Sequence, residues 1–260
     1  MPSSSSFVFQ ALHWSPHDVV TEKESSESDE EERRGSSYQS SEFVVKIFGR
    51  TQTGESCTIN VVNFTPFFYV AIPETWSYYD LQGFRNWVQS KLWKYKDDFF
   101  NESIDKQVFY KHKFRGFANQ KKTPFTRFRF KNRKAMRICK NIFLHKVWDD
   151  ELEEYVVMEP QTNPKFLYQR KYTFDLYETK LEPMLKMIHL RNLESCGWIS
   201  IKRKYLTQSD LLYSSIIQST SSKHSYTVPW NRLQRYTSQS ISPQIIAAFD
   251  IECDSSHGDF

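Results

Sequence analysis

Glycine is scarce in this chain: seven glycines are spread over 260 residues, and none of them forms a glycine-rich phosphate-binding loop. Aromatic residues are dense instead, with 21 Phe, 14 Tyr and 7 Trp. A chain of this length can bury a sizeable core. The composition therefore excludes a low-complexity chain and favours a packed protein that contains both helices and strands.

Paired cysteines are also missing. The four cysteines form no Cys-x-x-Cys pair, and no histidine stands at zinc-finger spacing. This pattern excludes a structural zinc finger and predicts reduced thiols inside a cell. The sequence shows no signal-peptide pattern and no apolar run long enough to cross a bilayer. We therefore expect an intracellular protein without a membrane partner.

Charge is unevenly distributed along the chain. Residues 20–42 hold many Ser and Glu and almost no apolar residues. Such a segment buries too little surface to offset its ordering entropy, so we predict a disordered acidic insert. The opposite extreme, here called the basic strip, runs from Lys106 to Lys146 and contains fourteen Lys or Arg and no Asp or Glu.

The basic strip predicts contact with nucleic-acid phosphates. Alternation along the segment "PFTRFRFKNR" puts Arg127, Arg129 and Lys131 on one strand face, and Thr126, Phe128 and Phe130 on the other. The alternatives are a solvated face and a docking surface for an acidic part of the same protein, such as the insert. The candidate nucleic-acid-binding residues are Lys121, Lys122, Arg127, Arg129 and Lys131.

Hydrophobic periodicity predicts the order β-α-β-β-α-β from residue 67 to residue 158, which is typical of ferredoxin-like and RNA-recognition-type folds. The first helix would have Asp80 as its N-cap, the second Asn132, and the last strand would be "EYVVM" at 154–158. A further helix near Pro183 is expected to dock through an apolar stripe. That stripe is made of Leu181, Met184, Leu185 and Ile188.

Two carboxylates follow a buried apolar run in "IIAAFDIECD" near the end of the chain. Asp250 and Glu252 share one face of the predicted strand, with their Cα atoms ~7 Å apart. Both can reach one divalent ion or a close pair of ions, and hard oxygen ligands suit Mg²⁺ or Mn²⁺. The alternative is a strand end whose acids simply emerge into water.

Several separate stretches resemble family B DNA polymerases of the polymerase delta type. "VVKIFGRTQTGESCTINVVNFTPFFYVAIP" resembles their N-terminal hairpin and aromatic strand. "LYETKLEPMLKMIHLRNLESCGWISI" is similar to their Tyr-Glu-Ser-Asn helix and Gly-Trp-Ile strand, with Thr179 and Lys180 in place of Ser-Asn. "AAFDIECDSSHGDF" resembles the first exonuclease motif, in the manner of large nucleocytoplasmic DNA viruses.

The resemblance implies a DNA-directed DNA polymerase, a nucleotidyltransferase with a proofreading 3′→5′ exonuclease. Asp250 and Glu252 would then be catalytic ligands of a two-metal Mg²⁺ or Mn²⁺ site, complete only with downstream residues. The implied partners are DNA, the rest of the polymerase and a processivity factor. The implied location is the nucleus or a cytoplasmic viral replication site.

We therefore expect the fold class α+β, with a ferredoxin/RRM-like core followed by the first strand of an RNase H-like exonuclease domain. The isolated chain should be inactive. The alternatives are a binding or assembly module, such as half of a split polymerase, and an RNA-binding protein, favoured only by "RGFA" at 115–118. The expected domains are an N-terminal strand (1–19), the insert (20–42), a polymerase N-terminal domain (43–242, with an RRM-like subdomain at 67–158) and a truncated exonuclease start (243–260).

Overall fold

A computed structural model describes residues 5–20, 40–100, 108–113, 121–144, 146–149, 154–157, 168–169, 172–208 and 221–244. In these ranges the protein is a mixed α+β structure with three α-helices and thirteen strands. The predicted class is thereby confirmed. The predicted acidic insert lies outside the described residues except at its ends, and so does nearly all of the predicted exonuclease strand.

A seven-stranded sheet forms the larger layer. Its strands are β1 (Ser6–Val20), β2 (Ser41–Thr51), β3 (Ser56–Val62), β10 (Trp198–Lys202), β11 (Thr207–Gln208), β12 (His224–Pro229) and β13 (Gln234–Tyr236). Their order is β11-β12-β3-β2-β1-β10-β13, and only β12 and β3 run parallel. The early strands β1, β2 and β3 thus lie together in the middle of the sheet, and the later strands β10 to β13 flank them on both sides.

The sequence predicts a strand in the segment "FVFQALHW" at 7–14, within the N-terminal region 1–19, and the observed β1 is longer because it continues to Val20 along β2. Its register shifts between Ala11 and His13, as in a β-bulge. Gly49 lies opposite this bulge, and a Cβ built on it would fall 2.4 Å from the carbonyl oxygen of Gln10. Only glycine fits this close approach of the two strands.

A four-stranded sheet and two helices form the second layer. The strands are β4 (Phe67–Ala71), β5 (Val108–His112), β6 (Lys122–Arg129) and β9 (Leu176–Tyr177), in the order β5-β6-β4-β9 with every neighbour antiparallel. The helices are α1 (Tyr78–Lys91) and α2 (Arg133–Leu144). The prediction that the strand at 154–158 completes this sheet was wrong. That strand, β8 (Glu154–Val157), pairs with β7 (Lys146–Asp149) in a separate two-stranded sheet, and β9 occupies the edge position beside β4.

The helix caps agree only in part with the sequence. Ser77, not Asp80, is the N-cap of α1; the backbone NH of Asp80 donates to the Ser77 hydroxyl, and the Asp80 carboxylate accepts from the Ser77 backbone in a capping box. The Asn132 prediction is confirmed, since its Oδ1 accepts from the backbone NH of Ala135 at 2.7 Å. The sequence alone could not separate Ser77 from Asp80, because both are good N-caps.

Helix α3 (Pro183–Leu190) begins at Pro183, as the sequence requires. The face it buries differs from the predicted stripe. Met187 is fully buried and Ile188 is buried, whereas Leu185 is 49% exposed. With eight residues, α3 is too short for its apolar residues alone to determine which face turns toward the core. Lys186 lies on the buried face because it pairs with Glu178 and donates to the Phe67 carbonyl.

Two hydrophobic cores lie on the two faces of the four-stranded sheet. On one face, Phe68, Val70 and Phe128 pack with α1 and α2. On the other, Phe67, Tyr69 and Phe125 join the core of the seven-stranded sheet and α3; this second face is called the inner face below. The aromatic side chains of the inner face are therefore covered by protein.

Candidate nucleic-acid interface

Asp250 and Glu252 lie outside the described residues, so the geometry of the predicted carboxylate pair is not part of this structure. The chain that leads toward them is fixed on the seven-stranded sheet. The Trp198 indole NH donates to the Ser240 carbonyl at 2.7 Å, and the Ser242 NH donates to Gln10 Oε1 at 2.9 Å. Residues 240–242 are thus held against β1 and β10 of that sheet.

Other acidic residues do not supply a metal site in the part of the chain that the structure describes. There, no three His, Cys, Asp or Glu side chains cluster closely enough to hold an ion. The same ranges contain no helix that is long and apolar enough to span a membrane.

The five predicted nucleic-acid-binding residues fall into two groups. Lys121 and Lys122 are exposed at the start of β6, and Lys121 pairs with Glu74 at 2.8 Å. Arg127, Arg129 and Lys131 are half-buried. The structure therefore does not bring all five together as one exposed surface.

The two arginines of β6 are held against aromatic rings. The Arg127 guanidinium lies 4.9 Å from the centre of the Phe109 ring, in cation–π geometry. Arg129 Nε donates to Thr65 Oγ1 at 3.0 Å, and its guanidinium lies 5.3 Å from the Phe100 ring. Alternation predicts that these arginines share a face, but that face packs within the protein.

Sequence reasoning missed the basic side of α2 as a site. A cleft of about 550 Å³ runs along this helix. The signal was present in the sequence, because residues 133, 137 and 140 recur at helical spacing on the side of α2 opposite the buried Ala135 and Cys139. The lining residues are Arg133, Lys134, Arg137, Lys140, Met136, Asp18, Thr179, Glu182 and Pro183.

Asp18 fixes one end of this cleft. Its carboxylate accepts from the backbone NH groups of Arg133 at 3.1 Å and Lys134 at 3.3 Å, so β1 caps the N-terminus of α2. Arg133 is in turn held by Asp18, by Glu182 at 3.4 Å and by the Pro16 carbonyl at 3.2 Å. Arg133 is thus a structural tie between β1, α2 and the start of α3.

His17, the neighbour of Asp18 in β1, has a pKa below its ordinary value. Burial is the main cause, the charges of Lys46 and Arg133 lower the pKa further, and the charge of Asp18 raises it. Cations beside an imidazole disfavour its protonated form. The cleft itself is lined by four basic residues and by the carboxylates of Asp18 and Glu182, and Lys134 and Arg137 are exposed along it.

Comparison with known proteins relates this chain to DNA polymerases. Residues 174–260 match the family described as "DNA polymerase family B, exonuclease domain". The DNA polymerase of Phaeocystis pouchetii virus is 28% identical over 218 residues, which are 84% of this chain and 20% of the viral protein. The DNA polymerase of Acanthamoeba polyphaga mimivirus is 29% identical over 266 residues, which are 99% of this chain and 13% of the viral protein.

The chain is therefore homologous to the N-terminal and exonuclease region of viral family B DNA polymerases, which confirms the predicted resemblance. It spans at most a fifth of the length of the curated relatives it matches. The structure of the family B DNA polymerase from the archaeon Pyrobaculum calidifontis also matches this chain. The match covers 91% of this chain and 21% of the archaeal polymerase chain, at 12% sequence identity and a TM-score of 0.46.

Proposed function

We propose that this chain is the N-terminal part of a DNA-directed DNA polymerase that acts in DNA replication, and that its last residues begin a proofreading 3′→5′ exonuclease. The observation that carries the proposal is the exonuclease-domain match over residues 174–260, which contains Phe-Asp-Ile-Glu at 249–252. The small fraction of each viral relative that aligns with this chain also supports the proposal, because most of each relative lies outside the matched segment.

Asp250 and Glu252 are the proposed metal ligands. Their four carboxylate oxygens are the hard donors that Mg²⁺ and Mn²⁺ prefer. Bound metal in such a site activates water and stabilises the leaving oxygen of a phosphodiester. The two side chains of this chain would hold that metal and orient it, with the remaining ligands supplied by downstream residues.

We further propose the domain boundaries and folds that the sequence suggests. The order β5-β6-β4-β9, with α1 and α2 on one face, supports a ferredoxin/RRM-like subdomain whose last strand is β9. The subdomain then extends beyond the expected 158 to residue 177. An RNase H-like domain would begin near residue 243, where the chain leaves Gln10 and Trp198.

The proposed partners are DNA and the remaining polymerase domains, with a processivity factor in the intact enzyme. The proposed location follows from the viral relatives and is a site of viral DNA replication, in the nucleus or in a cytoplasmic replication compartment.

A chimeric polymerase tests the exonuclease proposal. Residues 1–260 replace the matching segment of the Phaeocystis pouchetii virus DNA polymerase, and shortening of a 5′-labelled single-stranded oligonucleotide is followed with Mg²⁺ or Mn²⁺. We expect 3′→5′ shortening that is lost in Asp250→Asn and in Glu252→Gln, because each removes a charged ligand. The control is Asp254→Asn, on the same predicted strand face, which should keep the activity.

Primer extension by the same chimera shows whether it has folded. A chimera that extends primers and still shortens DNA after Asp250→Asn would contradict the assignment. Purified 1–260 alone should not cleave the oligonucleotide, since its two carboxylates do not complete a two-metal site. Robust cleavage by 1–260 that disappears in Asp250→Ala would overturn the proposal that further ligands lie downstream.

The second candidate function is a nucleic-acid-binding module, favoured by the exposed Lys121 and Lys122. We propose that these two lysines contact phosphates, while Arg127 and Arg129 keep their aromatic partners. Lys121→Gln with Lys122→Gln should lower the salt-dependence slope of single-stranded DNA binding by about 1.4, because each phosphate that a lysine neutralises adds about 0.7 to that slope. An unchanged slope in fluorescence anisotropy would exclude the pair.

A further inference from the structure

The face of the four-stranded sheet that could present aromatic rings to nucleic acid is not accessible. Phe67, Tyr69 and Phe125 on the inner face are buried against the seven-stranded sheet and α3. The opposite side of this sheet is covered by α1 and α2. The surface of these helices carries two concave features.

The first feature is the basic cleft of α2. Arg133 is held by Asp18 and Glu182, but Lys134 and Arg137 are exposed and Lys140 is half-exposed along the same helix. Three cations along one helix of this cleft of about 550 Å³ offer charge to several phosphates of one strand, while the carboxylates of Asp18 and Glu182 at its end are paired with Arg133.

The second feature is a groove of about 480 Å³ at the C-terminal end of α1. Trp93 is 69% exposed there, which is unusual for so large an apolar side chain. The Lys94 ammonium lies 4.8 Å from the centre of the Trp93 ring. The groove is lined by Asn86, Gln89, Ser90, Trp93 and Lys96.

Tyr95 and Lys134 connect the two features. The Lys134 ammonium at the first turn of α2 lies 5.8 Å from the centre of the Tyr95 ring, and Tyr95 belongs to the same short 3₁₀ helix (Trp93–Asp98) as Trp93. The contact between Lys134 and Tyr95 thus links the cleft of α2 to the short helix that carries Trp93.

We propose that this helical surface binds single-stranded nucleic acid, with the α2 cations on its phosphates and the Trp93 indole stacked on a base. Aromatic stacking combined with a basic groove is the usual way in which proteins hold single strands. A duplex keeps its bases stacked on each other, so it offers Trp93 no free base. An acidic peptide would pair with the cations but would leave the indole without a role. The proposal does not depend on the exonuclease assignment.

Fluorescence anisotropy with a labelled dT20 oligonucleotide tests this surface on purified 1–260. Arg137→Glu with Lys140→Glu should weaken binding at low salt by about tenfold or more and lower the salt-dependence slope by at least about 1.4. Trp93→Ala should weaken binding by about tenfold, and Trp93→Phe should recover most of it, because a phenyl ring still stacks. The matched control is Arg203→Glu with Lys204→Glu, an exposed pair beyond β10 with the same change in charge, which should have little effect.

Circular dichroism confirms that each variant is folded before binding is compared. The proposal is overturned if the α2 and Trp93 variants bind dT20 like the unaltered chain, or if the control pair weakens binding equally. Equal affinity for a 20-base-pair duplex would also overturn it, since stacking requires unpaired bases. A poly-glutamate peptide that displaces dT20 from both the unaltered chain and Trp93→Ala with equal ease would instead assign the cleft to acidic proteins.

Discussion

Arg85→Ala is expected to lower the free energy of unfolding by about 4 kcal/mol, through a cavity and unsatisfied buried acceptors. Arg85 is the largest fully buried side chain in the described ranges, with an exposed fraction of 0%. It lies on α1 and reaches across the helical core to the four-stranded sheet. A loss of this size is a large share of the stability of an ordinary domain.

The contacts of Arg85 explain the expected loss. Its Nη1 donates to the Thr126 hydroxyl at 3.2 Å and to the Arg127 carbonyl at 3.3 Å, and its Nη2 donates to the Phe100 carbonyl at 3.1 Å. The guanidinium also lies 5.0 Å from the centre of the Phe128 ring. Alanine would leave these acceptors without their hydrogen-bond donor inside the protein, where each unsatisfied group costs about 1–3 kcal/mol.

Urea denaturation followed by circular dichroism measures the effect. Arg85→Met keeps most of the volume and should lose less than alanine, because only the polar contacts disappear. Arg203→Ala is the control for an exposed arginine and should stay within about 0.5 kcal/mol of the unaltered chain. If Arg85→Ala lost less than about 1 kcal/mol, the carbonyl contacts would not be the link between α1 and β6.

Arg85 also shows where sequence reasoning succeeds and where it stops. The apolar residues Leu81, Phe84 and Val88 recur three and four positions apart along α1, and they are buried as that helical spacing predicts. Arg85 stands at the same helical spacing, but nothing in the sequence marks it as buried, since an isolated buried arginine is rare. Its acceptors come from residues 15 to 42 positions away, and no local pattern reveals that they converge.

The strand pairing was predictable only in its local parts. The hairpins β2–β3 and β5–β6 follow from alternation and turn residues. The edge position beside β4 went to the two-residue β9, not to "EYVVM", because β8 has a nearer partner in β7. A strand of two residues has no periodicity, so its place is set by tertiary contacts.

The candidate binding residues were likewise predictable in part from the sequence. The basic strip includes the four basic residues that line the α2 cleft, and its role in binding nucleic acid stays a prediction. Strand alternation then favoured Arg127 and Arg129, although the face they share is covered by the core around Phe67 and Phe109. Which face of a two-sided sheet meets solvent depends on the seven-stranded sheet, whose strands lie far apart in sequence.

Lys186→Ala is expected to lower the free energy of unfolding by about 3 kcal/mol at neutral pH. The Lys186 side chain is 4% exposed, and its ammonium pairs with Glu178 at 3.0 Å. The ammonium also donates to the Phe67 carbonyl at 2.7 Å. Strand β9 pairs with β4 only at Tyr69 and Val70 and does not reach Phe67. The Lys186 ammonium therefore supplies the Phe67 carbonyl with a hydrogen-bond donor in place of a strand neighbour. Alanine would remove that donor and the buried stem above the Phe67 ring.

The pH dependence separates this contact from simple packing. Burial lowers the pKa of Lys186 below its ordinary value, and the Glu178 carboxylate offsets this only in part. Between the lowered native pKa and the unfolded value near 10.4, the unfolded chain binds more protons, so this residue makes stability rise with pH in that window. The stability gap between the unaltered chain and Lys186→Met should therefore widen in favour of lysine from pH 7 to pH 10.

Urea denaturation at both pH values measures this gap, and Lys180→Met, at an exposed lysine before α3, is the control. Lys180→Met should track the unaltered chain at both pH values, because substitutions at exposed positions change stability little. A gap for Lys186→Met that stays constant with pH would mean that the native and unfolded states bind this proton equally. The ammonium would then be solvated in the folded protein, and the link between α3 and β4 would rest on the aliphatic stem alone.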